Sequence, residues 1–240
     1  MNQLINEIPD TPNNQAALVV FSGGQDSTTC LGWARKCFRR VYAIGFDYGQ
    51  KHRIELTQAK LIADIMGVPF ELVELSALSQ FNDSALIGEG DVNVPHHRNP
   101  DLPASFVPNR NALFLTLAHA YAQKIGAAHV VTGVCQTDYS GYPDCREGFI
   151  QGLEKTLNEG YLTDIRFETP IMHINKAQTF ALAEACGVLG LVIAESHTCY
   201  YGGRTPHPWG HGCGGCPACV LRVQGWEMYL KNKGGTDVHG

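Results

Sequence analysis

Phe21-Ser22-Gly23-Gly24-Gln25-Asp26-Ser27 directly follows the apolar run Ala17-Leu18-Val19-Val20. It leads through Thr28 and Thr29 into a helical spacing of Cys30, Leu31, Ala34, Cys37 and Phe38. A strand, a glycine turn and a helix in that order make a cradle for phosphate. Gly23 and Gly24 permit positive φ and close backbone approach, and the first N–H groups of a helix have no intrahelical partner. Phe21 to Cys30 is therefore expected to bind nucleotide, with Ser22 and Ser27 adding hydroxyl donors. Asp26 would repel bare phosphate, so its presence calls for a divalent cation. Mg²⁺ held by one carboxylate and phosphate oxygens meets that need. The loop fits neither the Walker-type pattern nor the dinucleotide fingerprint of Rossmann folds.

A second constellation is Cys199 with Cys213, Cys216 and Cys219, the last three in a C-x-x-C-x-x-C run among glycines and Pro217. Four thiolates so spaced can converge on one soft cation. A closed four-sulfur zinc site has no position for water, so the Zn²⁺ would be structural. An iron–sulfur cluster on the same cysteines is the rival reading, and colour separates the two. His197, His207 and His211 lie close enough in sequence to replace a ligand, although solvated loop histidines are the plainer expectation. Cys30 and Cys186 read as small buried hydrophobes.

The elements that must position these groups form βα units. After the first unit, a second strand is expected over Val41–Phe46, a helix over Ile54–Met66 stopped by Gly67, and a third strand over Phe70–Leu75. Gly88–Pro108 is long and proline-rich, which suits a lid or binding loop. A helix from about Ala112 to Lys124, a strand at His129–Gly133, a helix near Arg146–Asn158 and a strand around Arg166–Thr169 follow. Asn175 with Gln178 reads as a capping box for the next helix, which Gly187 closes. This alternation predicts an α/β fold with a doubly wound, mostly parallel sheet and ligands at the carboxyl ends of its strands. The expected divisions are a flexible start over 1–15, the α/β domain over 16–195, a four-cysteine zinc module over 196–230 and a flexible tail over 231–240.

Composition narrows the classes. With 240 residues, the chain suits one large core rather than two full domains. No apolar stretch approaches a membrane span, and the polar start with Pro9 and Pro12 is unlike a signal peptide. Nine cysteines, an odd number, argue for a reducing cytoplasmic setting and against a secreted disulfide framework. A net charge of −5 speaks against direct nucleic-acid binding, which needs a basic face.

The S-G-G-x-D-S loop resembles that of the N-type ATP pyrophosphatases, which cleave ATP between its α and β phosphates. Asp47-Tyr48-Gly49-Gln50, Thr132-Gly133-Val134-Cys135, Ser140-Gly141-Tyr142-Pro143-Asp144-Cys145 and the cysteine spacing narrow the resemblance to the nitrile-forming family of the queuosine pathway, from about Ala17 to Leu230. What the resemblance implies is a ligase joining 7-carboxy-7-deazaguanine and ammonia to give the corresponding nitrile. It would use ATP and Mg²⁺, carry Zn²⁺ and form a homodimer.

Placed on this chain, the triphosphate falls on Ser22–Ser27, the magnesium on Asp26, and supporting charge on Lys176 or Arg110. Lys176 follows Pro170 at a spacing similar to the family's P-L-x(n)-K motif; a solvated cation on a helix's first turn is the alternative. Phe106-Val107-Pro108-Asn109-Arg110-Asn111 is similar to a V-P-G-R-N loop with Asn109 in the glycine's place, and Asn tolerates left-handed backbone. Asp138, Tyr142 and Asp144 follow the fourth main strand, where an aromatic face and carboxylate acceptors would suit a purine-like ring. Two other readings stay open. A tRNA-thiolating ATP pyrophosphatase could use Cys135 or Cys145 as persulfide carrier. A zinc-module nucleic-acid-binding protein could bind ATP as regulator, with Arg204 and Arg222 beside the cysteines.

Overall fold

The computed structural model describes residues 8–80, 84–88, 91–96, 99–137 and 142–234. Its centre is a five-stranded parallel sheet in the order β3-β2-β1-β6-β7. These strands are β1 (Asn13–Val20), β2 (Phe38–Asp47), β3 (Phe70–Glu74), β6 (His129–Val131) and β7 (Arg166–Glu168). β1 explains why the sheet is wound on both faces. Ala17, Val19 and Phe21 point into one apolar cluster while Ala16 and Leu18 point into another, the period-two alternation of a strand covered on both sides.

Helices α1 (Gln25–Cys37), α2 (Ile54–Ile65) and α5 (Lys176–Ala185) cover the first face, burying Leu31, Ile62 and Phe180. Helices α3 (Arg110–Ile125) and α4 (Glu147–Tyr161) cover the second with Leu115, Ala118 and Ile150. Strand order reverses between β1 and β6, so their carboxyl ends part and open a crevice there. The doubly wound α/β sheet expected from the alternation is therefore the fold.

Several boundaries differ from the sequence reading. α1 stops at Cys37, short of the helical spacing that reached Phe38, because Phe38 and Arg40 pair with Asn13 and Ala16 and are drawn into the sheet. The expected lid carries a small antiparallel ribbon, β4 (Pro95–His96) with β5 (Asn99–Pro103). Short α6 (Leu189–Glu195) and the hairpin β8 (Thr205–His207) with β9 (Gly210–Gly212) gave no periodic signal. Of the segments expected to be flexible, Asn13–Gln15 belong to β1, and the final helix α7 (Pro217–Gly234) runs through 231–234. α7 is bound to the core by an aromatic wedge. Phe180 lies 5.2 Å from Trp226 and 6.0 Å from Tyr229, ring centre to ring centre.

Asn175 forms the full capping box: its side chain accepts from Gln178 N–H at 3.0 Å, and its own N–H donates to Gln178 Oε1 at 2.9 Å. Among the described residues no single helix is long and apolar enough to cross a membrane.

Candidate active site

The loop between β1 and α1 sits at the sheet's switch point, and its shape follows from two glycines. Gly23 has φ +76°, and a Cβ there would lie 2.6 Å from the Ala59 main-chain nitrogen, so no larger residue fits between loop and α2. From the other side, a Cβ on Gly133 beyond β6 would stand 3.2 Å from Ser27 N. Ser22 and Ser27 hydroxyls lie 3.2 Å apart, and Ser27 Oγ also donates to the Gly24 carbonyl at 3.3 Å. The first-turn N–H groups of α1 are thus presented at the mouth of the crevice.

Lys176 opens α5 and reaches back to this loop, its Nζ 2.5 Å from Asp26 Oδ2. A Cβ on Gly225 of α7 would fall 2.4 Å from Lys176 Cβ, so the bare backbone of α7 is what lets the lysine stem pass. Asp26 Oδ1 is buried with no hydrogen-bond partner among the described residues, as are both polar atoms of the Gln25 amide and Nδ1 of His197. Buried polar atoms in native structures are nearly always satisfied. Four in one wall mark a surface built for a polar ligand. The orphaned carboxylate oxygen beside the phosphate cradle also fits the hard oxygen donor a divalent cation takes.

These residues line one cavity of about 280 Å³. Its opposite wall is aromatic and basic. Phe46 and Phe114 stack at 4.3 Å, and Tyr48 stands 5.6 Å from Phe114. The Arg110 guanidinium lies 6.0 Å from the ring centres of both Tyr48 and Tyr142. Burial works against its charge, but Tyr48, Tyr142 and Asp144 hold it firmly protonated. Asn109 just before it has φ 61° and ψ 10°, the left-handed conformation a glycine would take, which turns the chain so that Arg110 can face inward.

The sequence-derived candidates around this cavity fall into four groups. Phe21, Ser22, Gly24, Gln25, Asp26, Ser27, Arg110 and Tyr142 line the cavity, and Lys176 joins through Asp26. Thr28, Thr29 and Cys30 turn into the core instead, where Thr29 Oγ1 donates to the Gln25 carbonyl at 2.9 Å and burial pushes the Cys30 thiol far up. Asp144 is buried away from the cavity, accepting the Asn111 N–H at 3.2 Å at the start of α3; burial raises its carboxyl, with Arg110 opposing. Asp138 lies outside the described residues.

Sequence reasoning missed Glu55, which lines the cavity. Its Oε1 accepts from Gln50 Nε2 at 3.0 Å, and Gln50 Oε1 accepts the Tyr48 N–H at 2.9 Å. Burial raises the Glu55 carboxyl to about 7. Glu55 sits on the first turn of α2, where an acid ordinarily serves the helix dipole, so its local signal points elsewhere.

The four cysteines meet as the spacing suggested. The sulfurs of Cys199, Cys213, Cys216 and Cys219 all lie within 4.8 Å of one another, and two pairs are 4.0 Å apart. Tetrahedral zinc with bonds of about 2.3 Å places its sulfurs about 3.8 Å apart, whereas a cluster of several irons would hold them wider. The N–H groups of Gly215 and Cys216 point at Cys213 Sγ at 3.4 and 3.3 Å, as suits a thiolate. The cluster can therefore hold zinc. Among the described residues no histidine joins it: His207 stacks on Trp209 at 4.4 Å and His197 Nε2 bonds the Cys199 carbonyl at 3.2 Å.

A glycine loop at the switch point of a parallel sheet, with an acid and a lysine converging on it, defines the class of phosphate-loop ATP pyrophosphatases. The fold is shared with a solved 4-thiouridine synthetase–RNA complex with bound ATP, at a TM-score of 0.51, 16% identity, and coverage of 90% of this chain and 53% of that one. The model of the family described as Queuosine biosynthesis protein QueC matches residues 16–230, and the chain belongs to that family. The 7-cyano-7-deazaguanine synthase of Wolinella succinogenes is 58% identical over 92% of this chain and 96% of its own length. Those of Helicobacter pylori strain Shi470 and Alkalilimnicola ehrlichii are 52% and 48% identical, over 90% and 94% of this chain and 96% and 98% of theirs.

Proposed function

We propose that this chain is a 7-cyano-7-deazaguanine synthase: an ATP-dependent ligase that converts 7-carboxy-7-deazaguanine and ammonia to the nitrile, releasing AMP and pyrophosphate. The observation that carries the reading is the Asp26–Lys176 pair at the mouth of the phosphate cradle, with an orphaned Asp26 oxygen beside it. A carboxylate resists amines because oxide is a poor leaving group, so the acid must first become an acyl adenylate. The first-turn amides of α1 and the Ser22 and Ser27 hydroxyls hold the departing pyrophosphate. Lys176 offsets the charge that develops on it, and Arg110 orients the acid's carboxylate.

Mg²⁺ on Asp26 would neutralise phosphate charge when bound. Zn²⁺ on the four cysteines would be structural, since no position is left open. The Phe46, Tyr48, Phe114 and Tyr142 wall offers faces for the flat deazapurine. Asp138, beside that wall in sequence, and Asp144, through Arg110, are the acidic groups assigned to the substrate end. We further propose a cytoplasmic homodimer working on small molecules rather than nucleic acid, which rests on the resemblance and on the acidic net charge.

Mass spectrometry after incubation with ATP, ammonium and 7-carboxy-7-deazaguanine tests the reading. Nitrile, AMP and pyrophosphate are expected, and cleavage of ATP to ADP would overturn it.

A further inference from the structure

The proposed reaction makes a demand that the adenylating machinery does not meet. Nitrogen enters as ammonia with three N–H bonds and leaves in the nitrile with none. One proton departs as the C–N bond forms and the C–O bond to AMP breaks. Two more depart after the amide oxygen has attacked the α-phosphorus of a second ATP, breaking its bond to the β-phosphate and expelling pyrophosphate, as the remaining C–O bond breaks and its electron pair leaves with AMP. A group in the cavity must accept these protons at neutral pH.

Most cavity groups cannot. Asp26 is paired with Lys176. His197 Nε2 is already bonded to the Cys199 carbonyl at 3.2 Å. The Tyr48 phenol is raised by burial to about 12 and stays protonated. We propose that Glu55 is the general base that takes the protons from the substrate nitrogen, in amide formation and again in collapse to the nitrile. This assignment rests on the ligase reading above.

The geometry suits the role. The Glu55 main-chain carbonyl lies against Gly23, 2.9 Å from where a Cβ would stand, so the residue borders the phosphate loop. Glu55 lines the same cavity as Arg110 and the adenylating loop. Gln50, itself buried and anchored on the Tyr48 N–H, fixes Oε1, while no hydrogen bond among the described residues engages Oε2. Arg110 from α3 and the Gln50 amide favour the charged form; burial and Asp47 at the end of β2 oppose it, and Asp47 is in turn paired with Arg53 at 2.8 Å. Lys51 and His52 complete the charged rim. A carboxyl balanced near 7 can take a proton and return it to solvent within each cycle.

Glu55→Gln tests this, read in two assays. Acid-dependent exchange of pyrophosphate into ATP reports adenylation alone. It should stay within about threefold of wild type, while nitrile formation from ammonium falls about 100-fold or more. With free ammonia held constant at each pH, the wild-type rate should rise with pH through about 7, as the carboxyl ionises, and this limb should vanish in the variant. Glu55→Asp should retain part of the turnover with a displaced limb, which also decides the matter if the Gln variant misfolds by circular dichroism. Equal loss of exchange and nitrile would make Glu55 a recognition residue and overturn the proposal. So would unchanged nitrile formation, an unmoved limb in Glu55→Asp, or a limb that disappears only in His52→Gln. Absence of acid-dependent exchange in the wild type would instead sink the ligase reading.

Discussion

The main-chain N–H of His197 donates to the Gly23 carbonyl at 2.9 Å, binding the strand of chain that enters the cysteine cluster to the phosphate loop. Next to it, the Gln25 N–H reaches Thr198 Oγ1 at 3.4 Å, and Cys199 follows immediately. The putting-together of metal site and nucleotide site is thus two residues long. Stripping the metal with a chelator, or Cys216→Ala, should loosen both. Expected are a melting temperature lower by about 6–12 °C, for a loss of about 3 kcal/mol, and weaker ATP binding by calorimetry. ATP affinity that survives complete metal loss would show that the staple does not depend on the ion.

Arg222 is the largest fully buried side chain, and it bonds the Trp209 and Val192 carbonyls and the Ser196 and Thr198 hydroxyls at 2.9 to 3.1 Å. Burial lowers its guanidinium to about 10, with the Asp26 charge opposing, and at neutral pH it stays charged. Arg222→Met leaves those acceptors unpaired and should cost about 3–5 kcal/mol. Urea unfolding measures it, and a cost below about 1 kcal/mol would refute the structural role.

Asp26→Asn and Lys176→Met should each reduce acid-dependent pyrophosphate exchange by about 100-fold or more, with the metal content of the cysteine cluster unchanged. Retained exchange in Asp26→Asn would contradict the magnesium assignment.

Asn109 holds left-handed backbone at φ 61° on an exposed turn. Asn109→Gly should be nearly neutral, and Asn109→Val should lose about 1–2 kcal/mol and raise KM for the acid by displacing Arg110. Thermal denaturation and steady-state kinetics read the two effects.

Glu55 also bears on stability. Its folded carboxyl titrates near 7 rather than at its ordinary 4.5, so between these values the folded state binds more protons than the unfolded one. Stability therefore falls as pH rises from about 4.5 to 7 and is level above. Glu55→Gln removes this penalty and should be more stable than wild type at pH 8 by about 1–3 kcal/mol, the gain fading toward pH 5. Chemical denaturation at both pH values checks the sign.

Much of the fold and part of the site were legible because their causes are local. The glycine loop declares itself by lying between a β-branched run and a helical period, and the capping box by Asn175 and Gln178 three positions apart. Cys213, Cys216 and Cys219 announce a ligand set by spacing alone, and Asn109, which the resemblance set in a glycine's place, holds the positive φ that Asn tolerates. The role of Asp144 was not legible, because an acid beside an aromatic looks the same in sequence whether it faces a ligand directly or, as here, accepts the Asn111 N–H at the start of α3. Phe38 misled because helical spacing runs on past the point where strand pairing takes the backbone.

From its residues in order, then, the chain determines the phosphate cradle, the metal ligands and the alternating α/β plan, since each depends on neighbours within a turn or a strand. Only the tertiary structure decides that Lys176 meets Asp26, that Glu55 and Arg110 line one cavity and feel each other's charge, and that Arg222 holds the cysteine segment against the core. Those pairs are separated by dozens of residues or more, and burial, which sets their charge states, does not exist until the sheet has closed around them.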